Sequence, residues 1–199
     1  MKKKISLPNP KKKGDLSLEE AISNRRTERD LVEEPLSLTE ISQILWAGQG
    51  ITDPGKIKRA APSAGATYPF SIYLSVKNVD GLNSGIYKYI QKEDELKFVK
   101  EEDFKKIKKV AFEQSFIEKA GVNLLLAADY KKTTDSYGDR GVRYVHMEAG
   151  HIAQNICLQA ESLSLSTVLV GSFDDEKIAD IFELKQEKPV YILSIGKSK

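Results

Sequence analysis

The chain has 199 residues, 40% of them hydrophobic and 30% charged, with a formal net charge of +2. That length and mixture suit one globular domain with a sizeable core, and the near-neutral balance gives no field for nucleic acid. No apolar run reaches the ~18 residues of a membrane span, and the single cysteine, Cys157, excludes an internal disulfide framework and fits a reducing cytoplasm.

The start, "MKKKISLPNPKKKG", is basic but lacks the apolar core of ~7 or more residues that a secretory signal needs. Residues 1–16 are therefore expected to be a loose, solvated basic arm, with partner binding as the sharper alternative. A single domain is expected over 17–199. "DLSLEEAIS" carries a capping box, Ser17 with Glu20, and predicts a short helix over 18–24. "PLSLTEISQILWAGQG" repeats the signal with Ser37 and Glu40. Leu38, Ile41, Ile44 and Leu45 recur there at helical spacing, and Gly48 and Gly50 are expected to stop the helix. "DPGKIKRAAPSAGATYP" reads as a long loop. "FSIYLSV" alternates and predicts a strand, followed by a short pair, "GIYKYI" and "LKFV".

"VNLLLAAD" is a continuous apolar run of strand length, as a strand buried on both faces requires. The longest predicted helix runs from Val142 to Leu163, with an apolar stripe of Val145, Ala149, Ile152, Ile156, Ala160 and Leu163. Ala153 and Cys157 widen the stripe, so Cys157 reads as a packed thiol. "STVLVGSF" predicts another buried strand, "DDEKIADIFEL" a capped helix and "PVYILSIG" a last strand. The pattern is α+β: a mixed sheet with helices and one long central helix.

Four stretches have the residue types for chemistry. In "RRTER", the guanidinium forks of Arg25, Arg26 and Arg29 match phosphate oxygens and Thr27 adds a hydroxyl; a charged surface turn is the plainer reading. In "APSAGATYP", the small residues let backbone approach a flat ligand, Gly65 permits unusual dihedrals and Ser63 offers a donor; a tight loop is the alternative. In "TVLVGSFDD", a buried strand ends at Gly171, whose bare N–H suits a ring heteroatom; a turn capped by Asp174 or Asp175 is equally readable. In "MEAGHIAQN", Glu148 and His151 share a helix face. Their spacing occurs in carboxylate-bridged metal sites, but no partner motif exists elsewhere, and a buried network with Arg143 as the natural partner is the better reading. Neither a dinucleotide-binding fingerprint nor a P-loop is present, and no catalytic dyad appears.

Taken in order, "NRRTERDL…EEPLSLTEISQILWAGQGIT", "RAAPSAGATYPFSIYLSV", "GIYKY", "RYVHMEAGHIAQNICLQAESLSLSTVLVGSFDD" and "PVYILSIG" resemble the nitroreductase superfamily, and within it the SagB-type dehydrogenase branch. The likeness runs from about Ser17 to Gly196. It implies an α+β fold with a mostly antiparallel sheet, and a homodimer holding FMN at the subunit interface. Carried over by position, Arg25, Arg26, Thr27 and Arg29 would hold the FMN phosphate and the flavin's polar edge. Pro62, Ser63, Ala64 and Gly65 would line the isoalloxazine ring from the other subunit. Leu169, Val170 and Gly171 would meet the ring near N5 through backbone N–H groups.

The resemblance also implies a ping-pong reaction between NAD(P)H and a small organic acceptor. No protein base is needed, so no catalytic residue is assigned. The alternatives are an FMN-dependent dehydrogenase or oxidase of an azoline-like heterocycle, or a flavin-binding module without turnover. Many relatives end with a basic segment that also touches the phosphate, and "GKSK" departs from it, with Lys197 and Lys199 as candidate substitutes; Ala64 and Ala66 stand where other branches often carry polar side chains. Tyr68, Phe70, Tyr137 and Phe173 are candidates for a substrate wall, each with a core role as the alternative.

Overall fold

The computed structural model describes every residue except 1–3, 54, 56, 103 and 112. Its strands are β1 (Lys4–Ser6), β2 (Leu31–Val32), β3 (Phe70–Val76), β4 (Gly85–Ile90), β5 (Glu95–Lys100), β6 (Val122–Ala128), β7 (Ser166–Val170) and β8 (Lys188–Ser198). Its α-helices are α1 (Leu18–Asn24), α2 (Leu38–Gln49), α3 (Phe104–Val110), α4 (Ser115–Lys119), α5 (Lys131–Tyr137), α6 (Arg140–Ser162) and α7 (Asp175–Ile181). The strands form one sheet in the order β1–β5–β4–β3–β6–β8–β2, with β7 also paired to β8. Every strand pair among the described residues is antiparallel; the parallel contacts are the isolated bridges Thr27–Thr167 and Leu36–Val79.

Why β6 is apolar at every position but Asn123, whose amide donates to Ile117 O at 2.9 Å and accepts from the Ser194 hydroxyl at 2.6 Å, follows from its place in the middle of the sheet. Val122, Leu124, Leu126 and Ala128 pack into the core beneath α2 and α6, while Leu125 and Ala127 pack into a second core beneath α3, α4 and α7. Both faces are dry, so the alternation that normally marks an antiparallel strand disappears. Neighbouring β3 splits the same way, with Phe70, Ile72, Leu74 and Val76 in the first core and Tyr73 in the second. Full burial of each large apolar side chain contributes about 1.5–3 kcal/mol.

Both capping boxes form as the sequence requires: Ser17 and Glu20 start α1, Ser37 and Glu40 start α2. At ~1.5 Å per residue, α6 spans ~35 Å. Its stripe of Val145, Ala149, Ile152, Ala153, Ile156, Cys157 and Ala160 lies buried against the sheet and α2. Gly48 does not stop α2, which runs through it to Gln49 with Gly50 as C-cap. Its role is close packing: a Cβ there would lie 3.0 Å from Ile156 Cδ1 of α6.

The amino-terminal segment departs from the loose arm expected over 1–16. Lys4–Ser6 pairs with Glu95–Lys97 at the sheet edge, and Leu7 is buried in the first core. Further along, Lys11 N–H donates to Gln43 Oε1 at 2.8 Å, Gln43 Nε2 donates back to Lys11 O at 3.1 Å, and the Lys12 ammonium sits 4.2 Å from the Trp46 ring centroid. The segment is held by Ile5 and Leu7 against the core, by backbone hydrogen bonds and by the side chains of Gln43 and Trp46, which its lysine-rich composition conceals.

Candidate functional site

The site is organised around β7. Helix α1 ends at Asn24, with Arg25 as C-cap donating its N–H to Ala21 O. The chain then runs beside the start of β7: Thr27 bridges Thr167, and Glu28 N–H donates to Thr167 O at 3.3 Å. Four residues further on, β7 gives way to Gly171. At ~3.3 Å per residue, the arginine segment and Gly171 are ~13 Å apart along one straight strand.

Among the described residues, Arg25, Arg26 and Arg29 have no carboxylate ion pair. Arg25 is partly buried beside Cys157, while Arg29 is exposed. Arg26 folds back on α1, its Nη1 donating to Ser23 O at 2.8 Å and Arg25 O at 2.9 Å, a cation placed on the negative end of a helix. Lys197 approaches this region because Leu31–Val32 pairs with Lys197–Ser198; its Nζ lies 3.7 Å from Glu34 Oε2. Cys157 is a packed thiol, as its place in the stripe requires. It is buried against the Thr167 hydroxyl, and burial pushes its pKa up.

Gly171 opens on a cleft of about 520 Å³ between β7, β8 and α6, lined by Gly150, Tyr130, His146, Phe173 and Tyr191 among others. That volume lies in the ~300–1,000 Å³ range of small-molecule sites. Bare backbone forms two of its walls: a Cβ at Gly150 would meet nothing within 4 Å, and one at Gly171 would meet only Tyr191 Cε2, at 3.9 Å. Of the three strand-end residues only Gly171 lines the cleft; Leu169 and Val170 pack their side chains against the two cores. The Tyr130 hydroxyl and His146 Nε2 are 2.8 Å apart at the cleft's edge. Burial, then Asp175, raises the Tyr130 pKa. Asp174 caps α7, its Oδ1 accepting from Lys177 N–H at 3.1 Å. An open, glycine-walled cleft joined by one strand to guanidinium groups that lack a carboxylate partner among the described residues fits a flat ring carrying a phosphate on a short chain.

The small-residue loop lies on a different side of α6. Pro62, Ser63, Ala64 and Gly65 do not line the Gly171 cleft of their own chain. Pro62 O lies 3.3 Å from His151 Nδ1, Tyr68 N–H donates to Ser63 Oγ at 2.9 Å, and Arg59 N–H donates to the Tyr68 hydroxyl at 3.1 Å. Three residues of this loop have left-handed backbone: Gly65 (φ 57°), Ala66 (φ 53°) and Tyr68 (φ 44°). For the two non-glycines that costs about 1–2 kcal/mol each. Of the aromatic candidates, Phe173 lines the cleft, while Phe70 is a core residue, 2% exposed on β3. Tyr137 stands over the loop, its hydroxyl 2.5 Å from where a Gly65 Cβ would be, and Tyr68 stacks under the Arg59 guanidinium at 4.5 Å.

Glu148 lies within this network, but Arg143 is not its partner. Arg143 is exposed on another face of α6, because five residues of helix turn it away from position 148. The cation facing Glu148 is Arg59, with Ser63 and Gln49 beside the carboxyl and His151 on the same helix. Burial holds the Glu148 carboxyl above its ordinary value of 4.5, and these neighbours pull it down by less. A group that keeps its proton in the fold but ionises when unfolded stabilises fully below 4.5, and that contribution is lost as pH rises through the folded value. Glu148→Gln mimics the protonated acid. Its stability relative to the native chain is expected to rise with pH above 4.5, at a slope of at most about 1.4 kcal/mol per pH unit, as urea unfolding at about pH 4 and about pH 8 would show. A difference that stays constant with pH would mean Glu148 titrates normally.

Comparison with known proteins gives the family of the chain. The nitroreductase family model matches residues 22–197, and the chain belongs to the nitroreductase family. It is 44% identical over 184 residues to the nitroreductase-named protein MJ1384 of Methanocaldococcus jannaschii, covering 92% of each. It is 26% identical over 157 residues to the microcin B17-processing protein McbC of Escherichia coli, a SagB-type relative, covering 76% of this chain and 58% of McbC. A nitroreductase-named crystal structure from Ralstonia eutropha JMP134 superimposes with a TM-score of 0.87 at 23% identity, over 100% of this chain and 90% of that one, which establishes the fold. The chain is thus an oxidoreductase of the nitroreductase family.

Proposed function

We propose that the chain is an FMN-dependent oxidoreductase that works as a homodimer in the cytoplasm. It would transfer hydride or electrons between NAD(P)H and a small organic acceptor, one substrate leaving before the next binds. The observation that carries this reading is the strand β7, bonded at Thr167 to the arginine segment and ending at the bare backbone of Gly171 over a cleft. Bound FMN would supply hydride exchange at its N5 atom.

This chain's residues would do the rest. Arg25 and Arg29 would neutralise the phosphate, Arg26 and Thr27 would complete its surroundings, and backbone N–H groups at Val170 and Gly171 would orient the ring. The Pro62–Gly65 loop is turned away from its own chain's cleft, which suits a contribution to the flavin site of a second copy. Exposed Leu18 and Ile22 on α1 and Val142 and Met147 on α6 are apolar surface available for that pairing.

Purified protein should be yellow and release FMN on denaturation. Under anaerobic mixing, NADH or NADPH should bleach the flavin band rapidly, and a quinone or nitroaromatic should restore it. A chain that cannot be reconstituted with FMN would defeat the proposal. Reconstitution without bleaching by either donor would favour the second reading, oxidation of an azoline-like heterocycle with electrons passing to oxygen. The likeness to McbC is the observation behind that alternative.

A further inference from the structure

One buried polar cluster is left unexplained by the cleft. Glu148 is 2% exposed and Gln49 is fully buried, and Glu148 Oε1 and Gln49 Nε2 make no hydrogen bond of ordinary geometry among the described residues, although Gln49 and Ser63 stand close enough to the carboxyl to favour its charged form. Arg59 closes the cluster from outside, donating from Nη1 to Gln49 Oε1 at 2.6 Å and stacking on Tyr68. Ser63 touches it from the loop, beside the Glu148 carboxyl, while its hydroxyl oxygen accepts the Tyr68 N–H. The amide and the hydroxyl of left-handed Tyr68 thus lead back to α2 and α6, through Ser63 to Glu148 and through Arg59 to Gln49, while Thr67 is tied separately to the Thr133 hydroxyl of α5 at 2.9 Å. Apolar side chains would fill the same space without orphaned atoms. A polar cluster kept there, under a strained loop, indicates that the loop's shape is what is being held.

We propose that Glu148 is a positioning residue: acting through Ser63 on one side and Gln49–Arg59–Tyr68 on the other, it sets the conformation in which the Pro62–Gly65 loop meets the flavin of the partner copy. The role rests on the FMN reading above. Glu148 itself touches no cofactor in this scheme. Its neighbours are Arg59, Ser63 and Gln49 from other elements and His151 from its own helix. Glutamine keeps the length and shape of the side chain and an oxygen that can accept a hydrogen bond in the same place.

The test is hydrogen exchange of the flavin-free protein together with FMN titration, on Glu148→Ala, Glu148→Gln, Ser63→Ala and the Glu148→Ala/Ser63→Ala double variant. Glu148→Ala should speed exchange of the amides of residues 64–68 about tenfold and weaken FMN binding by about tenfold, while Glu148→Gln restores both to near native. In the double variant the two effects should combine to less than their product, since both changes remove the Ser63–Glu148 contact, with Ser63→Ala alone reporting what loss of the Tyr68 N–H acceptor adds. Should Glu148→Ala fail to fold, Ser63→Ala reads the same contact from the loop side. Faster exchange across the whole molecule with an unaffected loop overturns the role, as do single effects that multiply in the double variant. Native protein that binds no FMN overturns the flavin reading and this role with it; native binding that is indifferent to the loop overturns the role alone.

Discussion

Arg25→Ala is expected to weaken FMN binding by tenfold or more, and Arg25→Glu by at least about a hundredfold, with little change in stability. Arg25 is half-buried between the end of α1 and Cys157, and no carboxylate among the described residues balances it. Each charge-assisted hydrogen bond to a phosphate is worth about 1.5–3 kcal/mol, and one or two are lost on truncation to alanine. Reversing the charge adds repulsion of a dianion, screened only in part because the site is partly dry. FMN titration of the flavin-free protein at low and moderate salt measures the effect, and the native affinity should fall as salt rises. Arg26→Ala is expected to do less to binding, because its guanidinium is committed to the carbonyls at the end of α1. An unchanged affinity in Arg25→Ala would show that this side chain faces water.

Gly171→Leu should remove flavin binding, by a hundredfold or more, from a protein that still folds. The fold tolerates the change because a Cβ at Gly171 meets only the edge of Tyr191, in ordinary contact, and its backbone is not left-handed. Surface substitutions of that kind usually stay within about 0.5 kcal/mol. The cleft does not tolerate it, because the leucine would occupy the space against which a ring must lie and would hold it off the backbone N–H groups. Denaturant unfolding and FMN titration, run on the same preparation, separate the two effects. Retained binding would place the ring elsewhere; a large loss of stability would show that Gly171 serves the fold.

Much of the fold was legible because its signals are local. Capping boxes need only residues three apart, and the stripe of α6 repeats within a single helix, so α1, α2 and α6 could be drawn from the sequence. The short helices α3 and α5 could not. "FKKIKKV" and "KKTTDSY" carry too little apolar periodicity, and α5 has no side-chain cap, so both depend on the surfaces they pack against. Gly48 misled for the same reason: a glycine that ends a helix and one that admits a neighbour look alike until Ile156 is seen against it.

The site divides along the same line. Arg25, Arg29 and Gly171 could be put forward as candidates from residue type alone, because a planar cation and a bare amide advertise their chemistry in any context. Tyr130, His146, Gly150 and Tyr191, which complete the cleft, could not be, since they come from separate stretches between β6 and β8 and meet only when the sheet forms.

Sequence alone determined the class of fold, the family likeness and the cationic segment, all of which rest on short-range pattern and composition. Only the tertiary structure decided that Arg59 and not Arg143 faces Glu148, that the amino-terminal segment is tied to the sheet edge, and that β7 joins the arginines to the cleft. Those are long-range pairings. They depend on which buried polar groups and strand edges find each other once the chain has collapsed, and no single stretch of sequence contains both partners.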